Sequence, residues 1–417
     1  MPNPVIRPRR GLVLQVFAAL LIIALIVARR PSAIFLPQFW AEDGAWFSHA
    51  YTFGAQTLTW PHAGYLQSIS RLAALLQAQL PLSWGPLCFA MLSVGIQALP
   101  PIFLLSGRFD PVLPSRPVRL LLALFWVAVP NASEIHVNLT DAMWHMSLLS
   151  FLIVASPPPR RRWASVAELT GLVLSGLSGP FCLFLTPLAW WRAWREPNSA
   201  IRARAWVLTA TVCVQAAFLV PSVFEVRPKV TLGATFPLLC RIIIAQIGLG
   251  GMAGTEFSRD LMASPLLQPD WVMLAFGAAM TVCGALAFYV GSELTRLFLV
   301  FAALMLGSSL ATPLVSFTEP QWPFLASAVG GRYFTVPILA WFVTCLVIAA
   351  SGPRLLRVPF VAMIAAFAVG AAHDFRYPAQ TDYGFHAEAL AFERSEPGKQ
   401  MKFLIPPVGW SFSLIRR

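Results

Sequence analysis

Residues 270–290 read DWVMLAFGAAMTVCGALAFYV. Beyond its first residue this stretch carries no charge, and it matches the roughly 20 residues a helix needs to cross a hydrocarbon core. Residues 84–105 and 297–315 are uncharged runs of similar length. The rest of the chain is of the same kind. Of its 417 residues, 57% are hydrophobic and 12% charged, against about 25% charged in a soluble domain. So few charges do not cover a globule of this size. The same arithmetic excludes a disordered chain and a disulfide scaffold. The six cysteines (Cys88, Cys182, Cys213, Cys240, Cys283 and Cys345) are scattered and form no CxxC or Cys/His cluster, so no thiolate metal site is expected. The reading is an all-α polytopic membrane protein.

About eleven spans are expected on this criterion, near 12–28, 84–105, 118–130, 143–156, 164–178, 180–194, 205–224, 270–290, 297–315, 334–350 and 358–372. Arg29-Arg30-Pro31 and no small-residue cleavage site follows the first, which is therefore expected to stay as a span. The net charge of +12 is a topology signal and not a nucleic-acid footprint, because Arg7, Arg9, Arg10 and Arg160–Arg162 flank apolar runs. With the N-terminus cytoplasmic, the short inner segments also gather Arg108, Arg116, Arg119, Arg192, Arg195, Arg202, Arg204, Arg296, Arg354 and Arg357, while most carboxylates fall outside. Residues 236–253 are kept outside as an interfacial or re-entrant helix, since Arg241 interrupts the run.

The organisation is then a transmembrane domain over 1–372 and an extracytoplasmic tail over 373–417. Long outer segments cover 29–83 and 225–269. In the first, Tyr65, Leu66, Ile69, Leu72, Leu76 and Leu80 recur at helical spacing, with Gln67, Ser70, Arg71 and Gln77 elsewhere on the wheel. That pattern predicts an amphipathic helix in the interface. The tail's Leu404–Leu414 region reads as a strand pair around a Pro-Gly turn. No internal repeat supports an inverted-repeat transporter.

Chemistry concentrates in three outer stretches. Glu42 and Asp43 are adjacent carboxylates among aromatics close to the first span. Ionisable groups at that depth are functional candidates, and mutual proximity separates their pKa values. Gly331-Arg332-Tyr333 puts an arginine where a lipid phosphate would lie, next to glycines that allow close backbone approach. Residues 131–145 hold Glu134, His136, Asn138, Asp141, Trp144 and His145, donors, acceptors and an aromatic face suited to a sugar. Asp141 is placed to N-cap the following helix. His136, Asp141 and His145 lack a diagnostic metal-ligand spacing.

With Ala41-Glu42-Asp43-Gly44, Gly64-Tyr65-Leu66, Trp144-His145, Ser178-Gly179-Pro180, Gly331-Arg332-Tyr333 and Pro407-Val408-Gly409-Trp410, the chain resembles the GT-C superfamily. These are integral-membrane glycosyltransferases that use polyprenyl-phosphate sugars, and the likeness is to bacterial members with an Ala-Glu-Asp-Gly first-loop motif. The resemblance implies a GT-C-like fold with interfacial helices in the first outer loop. It implies a sugar moved from the polyprenyl-phosphate donor to a glycan or lipid acceptor outside a bacterial inner (plasma) membrane. Asp43 first, and Glu42 second, would be the catalytic base. Arg332 and Tyr333 would bind the donor phosphate, and Asn138, Asp141, Trp144, His145 and Tyr65 the substrates. Partners are the bilayer, donor and acceptor; no nucleic acid is expected. No cofactor is certain; a divalent metal stays open but finds no support, since the chain lacks an Asp-x-Asp pair. No large soluble domain is expected after the last span. Rival readings are a transporter or flippase of lipid-linked sugars and an O-antigen ligase or polymerase, for which Arg227, Lys229, Arg241 and Arg259 are the available outer cations.

Overall fold

The computed structural model describes residues 8–225, 230–327 and 329–417; Arg7, Arg227 and Lys229, named above, lie outside them. The described chain is mostly helical, with one antiparallel hairpin near its C-terminus. Six helices are long and apolar enough to cross a bilayer: Leu82–Leu105, Ser199–Ser222, Phe236–Ala253, Asp270–Val290, Glu293–Ala311 and Arg354–His373.

Helices Arg116–Ala128, Ala142–Ala155, Arg162–Gly176 and Cys182–Arg195 also sit where spans were expected, but have only 13 to 15 residues. At 1.5 Å per residue each covers about 20 Å. Packing explains how one of these, Ala142–Ala155, is tolerated. Every residue of Ala142–Ala155 is buried among its neighbours, so the irregular backbone at its ends is sheltered by protein instead of lipid.

Charged side chains gather at two poles of the bundle. At one, Arg108 and Arg204 donate to the two oxygens of Glu168, at 2.6 and 2.7 Å. Arg204 also donates to the Ser156 carbonyl at 2.7 Å, and Arg108 bonds the Pro157 carbonyl. At the other, Arg29 ties the end of the first helix to the carbonyls of Val127 and Val129 (2.7 and 3.0 Å) and to those of Asp374 and Phe375. Asp374 accepts from the backbone of Asn131 (2.9 Å) and from the Thr255 hydroxyl (2.7 Å). These bonds lock the ends of four segments together.

Helix Phe236–Ala253 satisfies length and composition for a span, yet both its ends lie at the Arg29–Asp374 pole. The Leu232 carbonyl just before it accepts from Trp322, whose indole bonds Leu310 at the end of Glu293–Ala311. Thr255 just after it bonds Asp374. Arg241 does not interrupt the helix; its guanidinium donates to the Gln268 carbonyl at 2.8 Å.

The helix expected around residues 65–80 runs over Ser68–Gln77, so Tyr65, Leu66 and Leu80 fall outside it. Its burial is inverted relative to a soluble amphipathic helix. Ser70, Arg71 and Gln77 are buried, and Leu72 and Leu76 are exposed, Leu76 by 72%. The hairpin pairs Gln400–Ile405 with Trp410–Ile415. It packs with helix Phe385–Glu393 on the first outer loop, where Phe403, Ile405, Phe412 and Leu414 join Phe39, Trp46 and Phe47 in one core.

Glu168→Ala leaves two guanidinium groups at a buried pole without their counter-ion. Loss of one partner from a buried pair costs about 3–5 kcal/mol, so the thermal midpoint of the purified protein in detergent is expected to fall by several degrees, and Glu168→Gln by less.

Candidate active site

The first outer loop reaches the site through an unusual turn. Ala41 has φ 46° and ψ −120°, a region costly for a residue with a Cβ. Its N–H donates to the Pro406 carbonyl at 2.8 Å, which holds the turn open for helix Glu42–Phe53 to begin. Gly44 lies beneath the hairpin. A Cβ there would stand 2.6 Å from Phe412 and 2.7 Å from Ile405, so only glycine lets the tail seat on the helix.

Consecutive helical residues point about 100° apart, and the two carboxylates separate accordingly. Asp43 turns inward and is 2% exposed. It accepts from the backbone N–H of Leu139 (3.2 Å) and of Thr140 (2.9 Å) and from the Thr140 hydroxyl (2.8 Å). Burial raises its pKa to about 7 against the pull of those three donors. Glu42 is only partly buried. Its pKa is raised too, first by desolvation; Arg332 opposes the rise and Glu134 adds to it.

Arg332 faces the same space. Its guanidinium pairs with Glu134, donates to the Leu314 carbonyl at 2.7 Å and lies 4.7 Å from the Tyr333 ring centroid. Its backbone N–H also bonds Glu134, at 3.1 Å. Burial works against its charge, but Glu134, Tyr333 and Asp141 more than restore it. The expected role of Gly331 as a close-approach residue holds: a Cβ would meet the Asn131 carbonyl at 2.7 Å. The Tyr333 hydroxyl accepts from the Leu314 N–H at 3.0 Å.

Asp141 occupies the N-cap position of Ala142–Ala155, but its side chain makes no capping bond. Burial pushes its pKa well up, with Glu134, Glu42 and Asp43 adding to the effect and Arg332 opposing it. Glu42, Glu134, Asp141 and Arg332 are therefore one electrostatic cluster. Among the described residues no group of three His, Cys, Asp or Glu side chains has the geometry to hold a metal ion.

The other expected substrate residues have local duties. Asn138 accepts from the Asp141 N–H at 2.8 Å and donates to the Glu134 carbonyl at 2.7 Å, shaping the loop that carries both acids. His145 is buried, bonds the Ile135 carbonyl at 3.1 Å and packs edge-on to Trp126. Trp144 is buried between Phe181 and Tyr333, with its indole nitrogen unpartnered. Tyr65 exchanges backbone bonds with His62 across a tight turn. Glu134 was visible only as a polar residue of its loop; its link to Arg332 spans 198 positions and leaves no local signature.

Beside the loop, an apolar groove of about 1200 Å³ runs the length of the bundle. Ile69, Leu72 and Leu139 line it near the carboxylates, and Arg108 and Arg160 at the far pole. Arg241 and Arg259 line a separate cavity of about 210 Å³. No protein-family model matches the sequence, and no curated protein matches it.

Because folded Asp43 holds its proton to about pH 7 and an unfolded aspartate releases it near 4, the folded state binds more protons between these values. Stability is then fully present below about pH 4 and falls as pH rises to about 7. Thermal unfolding in detergent from pH 4 to 8 is expected to show that fall in the wild type and a shallower one in Asp43→Asn.

Proposed function

We propose that the protein is a membrane glycosyltransferase of GT-C type, moving a sugar from a polyprenyl-phosphate donor to a hydroxyl of a glycan or lipid acceptor. The observation that carries this reading is Glu42, a partly open carboxylate of raised pKa, within the field of Arg332; its neighbour Asp43 bonds Leu139, which lines the apolar groove. Glu42 replaces Asp43 as the preferred base. Asp43 is enclosed and accepts three hydrogen bonds, whereas Glu42 is partly open and has a strengthened affinity for a proton.

In the reaction, the acceptor oxygen attacks the anomeric carbon as the bond from that carbon to the phosphate oxygen breaks. Charge builds up on the sugar as in other glycosyl transfers. The acceptor's proton passes to Glu42. The electron pair of the broken bond leaves with the lipid phosphate, whose new charge Arg332 stabilises. Glu134 pre-orients that guanidinium and shares it with the phosphate. The groove accommodates the lipid chain. By the positive-inside tendency, the Arg108–Glu168–Arg204 pole faces the cytoplasm and the carboxylate cluster faces outward across a bacterial plasma membrane, with the remaining short helices completing the spans.

A carrier or flippase is less well supported. It calls for ionisable groups along the mid-bundle path, and the buried charged side chains lie at the two poles instead.

Deletion of the gene in its host is expected to remove one sugar from a surface glycan or lipid. Wild type restores it, while Glu42→Gln, expressed equally, transfers about 10²–10⁴-fold more slowly. Full restoration by Glu42→Gln sinks the assignment of the base; an unchanged profile on deletion, together with no transfer in isolated membranes, sinks the transferase. Since the Glu42 pKa is raised above 4.5, the acid limb of the transfer rate is expected above that pH, with activity lost as the base is protonated.

A further inference from the structure

Helix Ser68–Gln77 carries a cation that the transfer chemistry above leaves unused. Arg71 is 3% exposed. Its Nε and Nη1 are both buried with no hydrogen-bond partner, and no other arginine among the described residues leaves two such nitrogens. It enters none of the ion pairs found among the described residues. Its one close partner is the face of Trp46, 4.7 Å from the guanidinium carbon. Burial lowers its pKa only to about 10, so it is charged at neutral pH.

The surroundings are those of an anion site. Trp46 is fixed by its indole N–H to the Thr140 hydroxyl at 2.8 Å and by the edge of His62 at 4.7 Å. His49 packs against Trp60 at 5.6 Å, and its Nδ1 is buried without a partner. Both histidines are partly exposed. Burial first, and then Arg71, depresses both of their pKa values, that of His62 to about 4. They remain neutral, each with one ring N–H to donate. An isolated buried charge is costly, and a planar fork of N–H donors matches the oxygens of a phosphate.

We propose that Arg71, with His49 and His62, is an oxyanion site for a phosphate group, separate from the Glu134–Arg332 pair. The inference does not rest on the transferase reading, since it follows from the unpaired charge alone. The phosphate is borne either by a lipid or by a free ion. Leu72 and Leu76, exposed on the opposite face of the same helix, put a lipid headgroup within reach.

The test is thermal unfolding of the full chain. One arm adds inorganic phosphate to protein in detergent. The other compares nanodiscs of phosphatidylcholine alone with nanodiscs containing phosphatidate, whose headgroup is a phosphomonoester. Wild type is expected to gain stability in at least one arm, as a ligand that binds only the folded state requires. A gain with phosphatidate alone identifies a lipid-borne group, and a gain with inorganic phosphate a free one. Arg71→Gln is expected to lose the gain and, with the unpaired charge removed, to be at least as stable as wild type without phosphate. Arg71→Lys is expected to keep part of the gain, and Arg332→Gln to keep the part that Arg71→Gln loses. No gain in the wild type in either arm overturns the proposal. So does an Arg71→Gln protein that is less stable yet gains as the wild type does, because Arg71 would then only brace Trp46.

Discussion

Asp43 is the point on which the polar end of the molecule depends. A buried carboxylate is tolerated where donors replace its lost water, and the donors here come from Leu139 and Thr140, almost a hundred residues away. The bond set fastens the start of helix Glu42–Phe53 to the loop before helix Ala142–Ala155. Once it is made, the register of the helix carries Glu42 towards Glu134, Asp141 and Arg332. The Thr140 hydroxyl extends the link to the Trp46 indole, and Trp46 in turn backs Arg71. One satisfied carboxylate thus fixes both a carboxylate–arginine cluster and the ring against which Arg71 lies.

The apolar bulk of the chain was readable because spans are composed of one kind of residue over a length that geometry sets. The ends of the helices at 85–105, 270–290 and 335–351 fall within a few residues of the expected runs. Residues 236–253 form a helix long and apolar enough to cross; Arg241 does not interrupt it, and the chain just before and just after it bonds residues of the Arg29–Asp374 pole. The Ala-Glu-Asp-Gly stretch lies against residues 139–140 and in the field of Arg332. Adjacency could not show which acid turns inward, because that depends on where the helix begins, and Ala41 starts it from a strained turn that no periodicity encodes. Arg29 was read only as part of the Arg-Arg-Pro that follows the first span. Its partners are carbonyls from two distant segments, 127–129 and 374–375, and carbonyls are the same in every residue.

The helix Ser68–Gln77 shows why a helical wheel is an incomplete guide beside a bilayer. A wheel separates two faces; it does not say which medium each one meets. Here the leucines face outward and the arginine inward, the arrangement expected when the surroundings are less polar than the interior of the protein. The buried charges Arg29, Glu168 and Arg204 lie at the two poles, where they bond backbone carbonyls or one another.

The C-terminal hairpin has a consequence in time. Phe403, Ile405, Phe412 and Leu414 complete the core beneath Glu42–Phe53, and Gly44 is shaped to receive them. Ribosomes deliver chains from the N-terminus, so the first outer loop emerges early and waits, its aromatic residues uncovered, until the rest of the bundle has been inserted. Only then does the last element close over it. A chain halted before residue 400 leaves the core around Phe39, Trp46 and Phe47 without Phe403, Ile405, Phe412 and Leu414.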